Sequence, residues 1–367
     1  MSLSHLVRLL PCVAVASAGL AVAPTVRADE PRDAASVLAR GVAFLKETQT
    51  EEGWWSLPDR IGFTGVATVA LLEAGLTADD PAVAKGLAYL LRHRRPDGGI
   101  YGDGSSHRNY ETCLAVLAMT QADADRYRDE IAAADAFLRG LQWDEGEGLT
   151  SADYSFGGAG YGRHARPDMS NTQFLVEALR SAGAGPDDEA MQNALLFVAR
   201  TQNLEGSNDT KFGAKIDDGG FYYTPAAGGE SKAGVTPNGG LRSYASMTYA
   251  GLKSFLYAGV DADDRRVRAA AEWARRNYRL DENPGMGLQG LYYYYQVFAK
   301  AHAALGEPLV ITPDGRAHDW RQDLVTELAN RQRADGSWIN AADRWYEGDP
   351  ALVTGYAVLA LSKCVTE

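Results

Sequence analysis

The chain has 367 residues, with 36 basic against 48 acidic, a net charge of −12, and no basic stripe interleaved with aromatics. That balance leaves no electrostatic footprint for a nucleic-acid or anionic-headgroup partner. Three cysteines are too few for a disulfide-stapled scaffold, so the core must be held by packing.

Arg8 forms a short basic start, an apolar run follows from Leu9 to Val22, and Val26-Arg27-Ala28 offers a small-residue cleavage site. Pro11 and Gly19 interrupt the run, which is shorter than the roughly 20 residues a membrane span needs. The expectation is a cleaved export signal over 1–28. Residues 29–367 are then one domain without an integral membrane span, periplasmic or extracellular. Loss of Arg8 and Arg27 leaves 34 basic against 48 acidic residues, a net charge of −14. Of the cysteines, Cys113 and Cys364 remain, enough for one disulfide.

From residue 35 onward, apolar residues recur three and four apart, and alternating strand-like runs are scarce. The segments fall into six pairs. The first pair covers 35–46 and 63–74, the second 82–92 and 109–120, and the third 128–141 and 170–182. The fourth covers 188–201 and 241–258, the fifth 265–278 and 288–305, and the sixth 320–331 and 351–362. Linking loops carry a spaced signature, Gln49 to Gly53-Trp54 and Gln332 to Gly336-Ser337-Trp338. Weaker copies stand at Pro96-Asp97-Gly98-Gly99 and Asp218-Gly219-Gly220-Phe221. Glycine permits the tight turn, the aromatic can pack over the neighbouring repeat, and glutamine can bond backbone groups at a helix end.

The Gln-to-Gly-to-Trp spacing between paired helices resembles the prenyltransferase and squalene oxidase repeat family, which includes squalene-hopene cyclases and protein prenyltransferases. The resemblance covers roughly residues 35–365 and implies an all-α fold, an (α/α)6 toroid whose first helices form an outer ring and second helices an inner ring around an axial cavity. One amphipathic pair cannot bury its own apolar faces, and six pairs favour a closed ring over an open solenoid.

The chemistry best known for that family is harder to find. Squalene-hopene cyclases use an Asp-x-Asp-Asp cluster to protonate an alkene, and the chain holds that string at Asp261-Ala262-Asp263-Asp264. It precedes a first helix, as Ala78-Asp79-Asp80 does in an earlier repeat, so it reads as an N-terminal cap. Pro167-Asp168-Met169-Ser170-Asn171 stands before the third inner helix, with Ser170 and Asn171 in place of the two final acids, and Asp168 too reads as a cap. The zinc ligands of protein prenyltransferases have no counterpart in the fourth and fifth inner segments. Cys113 beside Glu111 reads equally well as a small buried hydrophobe, and His164 and His302 stand alone. Gly157-Gly158-Ala159-Gly160 lacks the lysine of a phosphate-cradling loop. No metal and no cofactor are expected.

What remains is a concentration of aromatics and carboxylates in the C-terminal half, near the starts of inner helices. The candidate ligand-binding residues are Tyr222, Arg242, Tyr244, Tyr292, Tyr294, Tyr295, Trp345 and Tyr346, and the candidate acids are Asp281, Glu282, Glu347 and Asp349. Successive residues of a helix point in different directions, so at most two of the four tyrosines at 292–295 face a cavity. Two classes of function follow. One is an enzyme, either terpenoid-cyclase-like with tyrosine faces stabilising a cation, or a polysaccharide lyase or hydrolase. The other is a noncatalytic exported module that holds a lipid or isoprenoid, a glycan or a peptide in an aromatic mouth.

Overall fold

The computed structural model describes residues 33–162 and 165–365, so the expected signal segment at 1–28 and His164 lie outside the described residues. Twelve α-helices are found among the described residues. They are α1 (Ala34–Thr48), α2 (Ile61–Glu73), α3 (Pro81–Leu91), α4 (Arg108–Asp123), α5 (Arg128–Arg139) and α6 (Met169–Ser181) in the first half. The second half adds α7 (Glu189–Arg200), α8 (Ala245–Tyr257), α9 (Arg265–Arg276), α10 (Leu291–Leu305), α11 (Trp320–Arg331) and α12 (Pro350–Leu361). A small antiparallel hairpin, β1 (Leu309–Ile311) with β2 (Ala317–Asp319), joins α10 to α11, and Val310 pairs with His318. None of the described helices is long and apolar enough to cross a membrane.

The even-numbered helices pack in a closed cycle, α2 on α4, then α6, α8, α10, α12 and back to α2. Their composition explains the position. Every residue of α2 from Ile61 to Leu72 is buried, and so is every residue of α12 from Ala351 to Leu361, as befits helices enclosed on all sides. The odd-numbered helices are amphipathic, and α9 buries only Val267, Ala270, Ala271, Trp273 and Ala274. Aspartates start most of the outer ring: Asp33, Asp80, Asp188, Asp264 and Asp319 each accept backbone N–H groups from the first turn that follows. Asp264 is the last acid of the Asp261–Asp264 string, which serves as the expected cap.

The loop signature has a specific task. Gln49 donates to the carbonyls of Gly53 and of Ala82 in the next outer helix, at 3.1 and 2.9 Å. Gln142 does the same for Gly157 and Ala190, and Gln202 for Gly219 and Arg266. Gln332 donates to Gly336 and, across the seam, to Val37 of α1, both at 3.0 Å, so the last repeat is tied to the first. Gly336 has φ +86°, and a Cβ there would stand 2.5 Å from the Arg40 carbonyl oxygen, so only glycine fits. Trp338 donates its indole N–H to the Leu328 carbonyl. In the first repeat Trp55, not Trp54, fills that role through Leu45, because Gly53-Trp54-Trp55 aligns with Gly336-Ser337-Trp338.

Three expectations change in detail. The fourth inner helix starts at Ala245 rather than 241, because Leu241 bridges to Val235 and Tyr244 donates its N–H to the Phe221 carbonyl in extended backbone. The fifth starts at Leu291 rather than 288, after Gly290 in a left-handed conformation. Cys113 and Cys364 are both free and buried, so the possible disulfide does not form.

Candidate active site

The inner helices begin at one rim, and their first two turns wall a cavity of about 750 Å³. Ile61 and Phe63 come from α2, Tyr110 and Glu111 from α4, Ser170, Asn171 and Phe174 from α6, Met247 from α8, Tyr293 from α10, and Leu352 and Tyr356 from α12. The rings touch one another: Phe174 meets Tyr110 edge-on at 4.9 Å, Tyr293 meets Tyr356 at 6.0 Å, and the Tyr110 and Tyr356 hydroxyls are 2.9 Å apart. The mouth is framed by Trp345 and Tyr346, both half-exposed and both at positive φ, with Arg60 stacked 4.5 Å from the Tyr346 ring.

The loops that reach this rim also cap the inner helices of their neighbours. The Tyr161 carbonyl accepts from Asn109 of α4, the Tyr223 carbonyl from Met169 of α6, and the Asn283 side chain from Ser246 of α8. The last member of the series is Glu347, whose Oε1 accepts from the N–H groups of Tyr292 and Tyr293 at 2.9 and 2.8 Å, while Oε2 accepts from Asn340. One repeat therefore satisfies the orphan donors of the previous one.

Two buried carboxyl groups line the cavity. Burial pushes the Glu111 carboxyl up to about 7, against the opposing effect of the Gly102 N–H and the Ser105 hydroxyl that bond it at 3.0 Å each. Burial likewise pushes Glu347 up to about 7, opposed by the N–H groups of Tyr293, Asn340, Tyr292 and Leu291. Just behind the wall, Asp168 caps α6 through Asn171 and is pushed up to about 6 by burial. The three differ in what bonds them. Glu347 accepts from backbone and amide N–H groups alone, which cannot reverse, whereas Asp168 accepts from the Tyr223 hydroxyl besides the two N–H groups of Asn171. Glu111 shares one bond with a serine hydroxyl, which can turn and accept. Of the two that line the cavity, it is Glu111 that accommodates a proton without loss.

Four of the twelve residues singled out from the sequence line the cavity: Glu347, Tyr244, Trp345 and Tyr346. The other eight are elsewhere. Asp281 and Glu282 pair with Arg279 at the surface, and Arg242 is exposed with its side chain on the Val235 carbonyl. Asp349 caps α12 and accepts from Ser56. Tyr222 packs with Phe212 and Leu241 in a separate cluster and donates to the Arg200 carbonyl. Tyr294 and Tyr295 donate to the carbonyls of Arg279 and Leu280, and Tyr292 packs edge-on against Tyr295, so these three brace the rings. Of the run at 292–295, the cavity receives Tyr293. Glu111 and the aromatic walls of the first three repeats are not distinguished as a site by the sequence, where they read as ordinary inner-helix residues. Cys113 beside Glu111 is buried with its thiol 3.6 Å from Asn109 Oδ1, and His302 is buried neutral, held well below its ordinary value, to about 3, and stacked on Trp320. Among the described residues no three His, Cys, Asp or Glu side chains are grouped to hold a metal ion.

Residues 58–223 match the family of the squalene-hopene cyclase C-terminal domain. Over 200 residues the chain is 25% identical to a probable squalene–hopene cyclase from Sinorhizobium fredii (strain NBRC 101917 / NGR234), a stretch that covers 48% of this chain and 31% of that protein. The chain thus spans about a third of the length of this relative. Among solved structures, the type II terpene cyclase MstE from Scytonema superposes with a TM-score of 0.55 at 14% identity, covering 91% of this chain and 98% of that one. A D-mannose isomerase superposes at 0.53 with 12% identity over 90% and 96% of the two chains. A family 76 glycoside hydrolase from a bovine Bacteroides thetaiotaomicron strain does so at 0.53 with 11% identity over 89% and 77%. The fold is an α/α toroid of the terpene-cyclase type, and the likeness read from the Gln-Gly-Trp repeat is shown.

Proposed function

We propose that the cavity binds an apolar, isoprenoid-like chain carrying an oxygen function, and that Glu111 is the general acid that protonates this oxygen. The observation that carries the proposal is the setting of Glu111: a buried carboxyl on the wall of an aromatic cavity, held at about 7 and able to keep its hydrogen bonds in the acid form. A group with that value retains its proton near neutrality, as a general acid must. It is too weak an acid to protonate a bare alkene without a cation beside it, whereas an epoxide, ether or hydroxyl oxygen is basic enough. The faces of Tyr110, Phe174, Tyr293 and Tyr356 would then stabilise positive charge left on carbon. Glu347 shapes the site by fixing the start of α10, and Asp168 does so for α6.

Incubation of the purified protein with an isoprenoid epoxide, an isoprenoid alcohol and, separately, a cell-wall glycan, followed by mass spectrometry, tests this. Turnover of the epoxide or alcohol is expected, reduced about 10²- to 10⁴-fold in Glu111→Gln with a melting temperature at the assay pH no lower than that of the wild type. Full activity in that variant would sink the assignment of the acid. Retention without alteration would make the protein a binding module, and turnover of the glycan in its place would make it a carbohydrate enzyme on the same toroid.

A further inference from the structure

Below the cavity the axis is filled by charge. On α6, Ser170, Gln173 and Glu177 are spaced three and four apart, and on α10, Tyr293 and Lys300 are seven apart, so each set forms one stripe on its helix. The stripes meet. Glu177 accepts from Lys253 of α8 through one oxygen and from Lys300 through the other, the latter at 2.6 Å. Lys300 also pairs with Glu73 of α2 at 3.3 Å, and Glu73 pairs with Lys363 after α12 at 2.9 Å. Upward, Lys253 donates to Gln173 Oε1, and Gln173 Nε2 donates to the Tyr293 hydroxyl oxygen at 3.3 Å. The Tyr293 hydroxyl is also 3.1 Å from Ser170 Oγ, and both of these side chains line the cavity.

This column has a direction. An ammonium group only donates, so Lys253 compels the carbonyl end of Gln173 to face it. The amide N–H then necessarily faces Tyr293, whose oxygen is committed as an acceptor. Ser170 and Tyr293 share two hydroxyl protons and one mutual bond, so the second proton has no partner in the wall among the described residues. From this we infer that the buried charge column makes the Ser170–Tyr293 pair a fixed hydrogen-bond donor to an oxygen atom of the ligand, with Gln173 as the positioning residue. The inference rests on the proposed binding of an apolar chain and adds a second polar contact, separate from the one at Glu111: an oxygen held at the floor of the cavity, on the α6 and α10 side.

Binding of farnesol and farnesene, isoprenoids of one chain length with and without a hydroxyl, tests the inference by calorimetry or tryptophan fluorescence. The wild-type protein is expected to prefer the alcohol by about five- to tenfold, the effect of one hydrogen bond formed in a desolvated site. Gln173→Glu keeps both hydroxyls but presents a carboxylate, which takes the free proton away from the cavity. Its preference is expected to vanish. The double variant Ser170→Ala, Tyr293→Phe is expected to lose the preference equally, with melting curves confirming that each variant is folded. A preference retained in either variant overturns the inference. Equal wild-type affinities for both compounds overturn it while leaving the cavity reading intact, and binding of neither overturns both.

Discussion

Buried glutamates at the two ends of the inner ring behave in opposite ways. At the rim, burial drives Glu111 and Glu347 up to about 7, because their partners are neutral N–H and O–H groups. Toward the far end, burial pushes in the same direction, but Lys253 and Lys300 outweigh it and carry Glu177 down to about 2, and Lys300 and Lys363 lower Glu73. Residue type and burial are shared, so the partners decide. The backbone reinforces the division at its two extremes, since helix starts offer N–H groups to Glu347 and the end of α12 favours a cation, where Lys363 stands. One end is thereby suited to holding protons and the other to holding the ring together.

Breaking the far end should cost most. Glu177→Gln leaves Lys253 and Lys300 without their shared carboxylate, and denaturant unfolding is expected to show a loss of about 3–5 kcal/mol. A loss under about 1 kcal/mol would mean that the column is not a structural clamp.

The rim should show itself through pH. Glu111 and Glu347 have folded values above the ordinary one, so the stability they contribute is present below about pH 4.5 and is lost as pH rises through about 7. Glu177 runs the other way, contributing above about 4.5 and losing its contribution toward 2. Glu111→Gln is therefore expected to reduce the fall in stability between pH 5 and pH 8 by on the order of 2–3 kcal/mol, read from denaturant midpoints at each pH. An unchanged slope would contradict the placement of that carboxyl.

Smaller effects sharpen the contrast. Gln332→Leu leaves the Gly336 and Val37 carbonyls without their side-chain donor at the seam, for a loss of about 1–2 kcal/mol in unfolding experiments. Trp345→Gly should do the reverse at the mouth. It relieves a non-glycine residue at φ 61° and is expected to raise stability by up to about 1 kcal/mol while weakening retention of an isoprenoid ligand. A lower melting temperature with full retention would show that Trp345 is packed for the fold rather than for a ligand.

The repeat was legible in the sequence because its physics is local. Apolar spacing, Asp caps before outer helices and the Gln-to-Gly spacing each act within one helix pair, and all six pairs stand where the periodicity puts them. The site was only partly legible. Glu347, Tyr244, Trp345 and Tyr346 reach the cavity because loops before inner helices lie at the rim, and the same logic failed for Asp281 and Arg242, whose loops turn to solvent. Tyr293 differs from Tyr292, Tyr294 and Tyr295 by helical phase alone, which no composition reveals.

The sequence by itself determined a helical repeat, its pairing and the residues that lock each turn, since these interactions join positions a few residues apart or one repeat apart. Tertiary structure decided the rest: closure through Gln332 and Val37, the capping of α10 by Glu347, and the meeting of Gln173, Glu177, Lys253 and Lys300 on the axis. Those partners lie between 54 and 295 residues apart in the chain. Protonation and donor direction depend on such partners, so they become fixed only once the ring has closed.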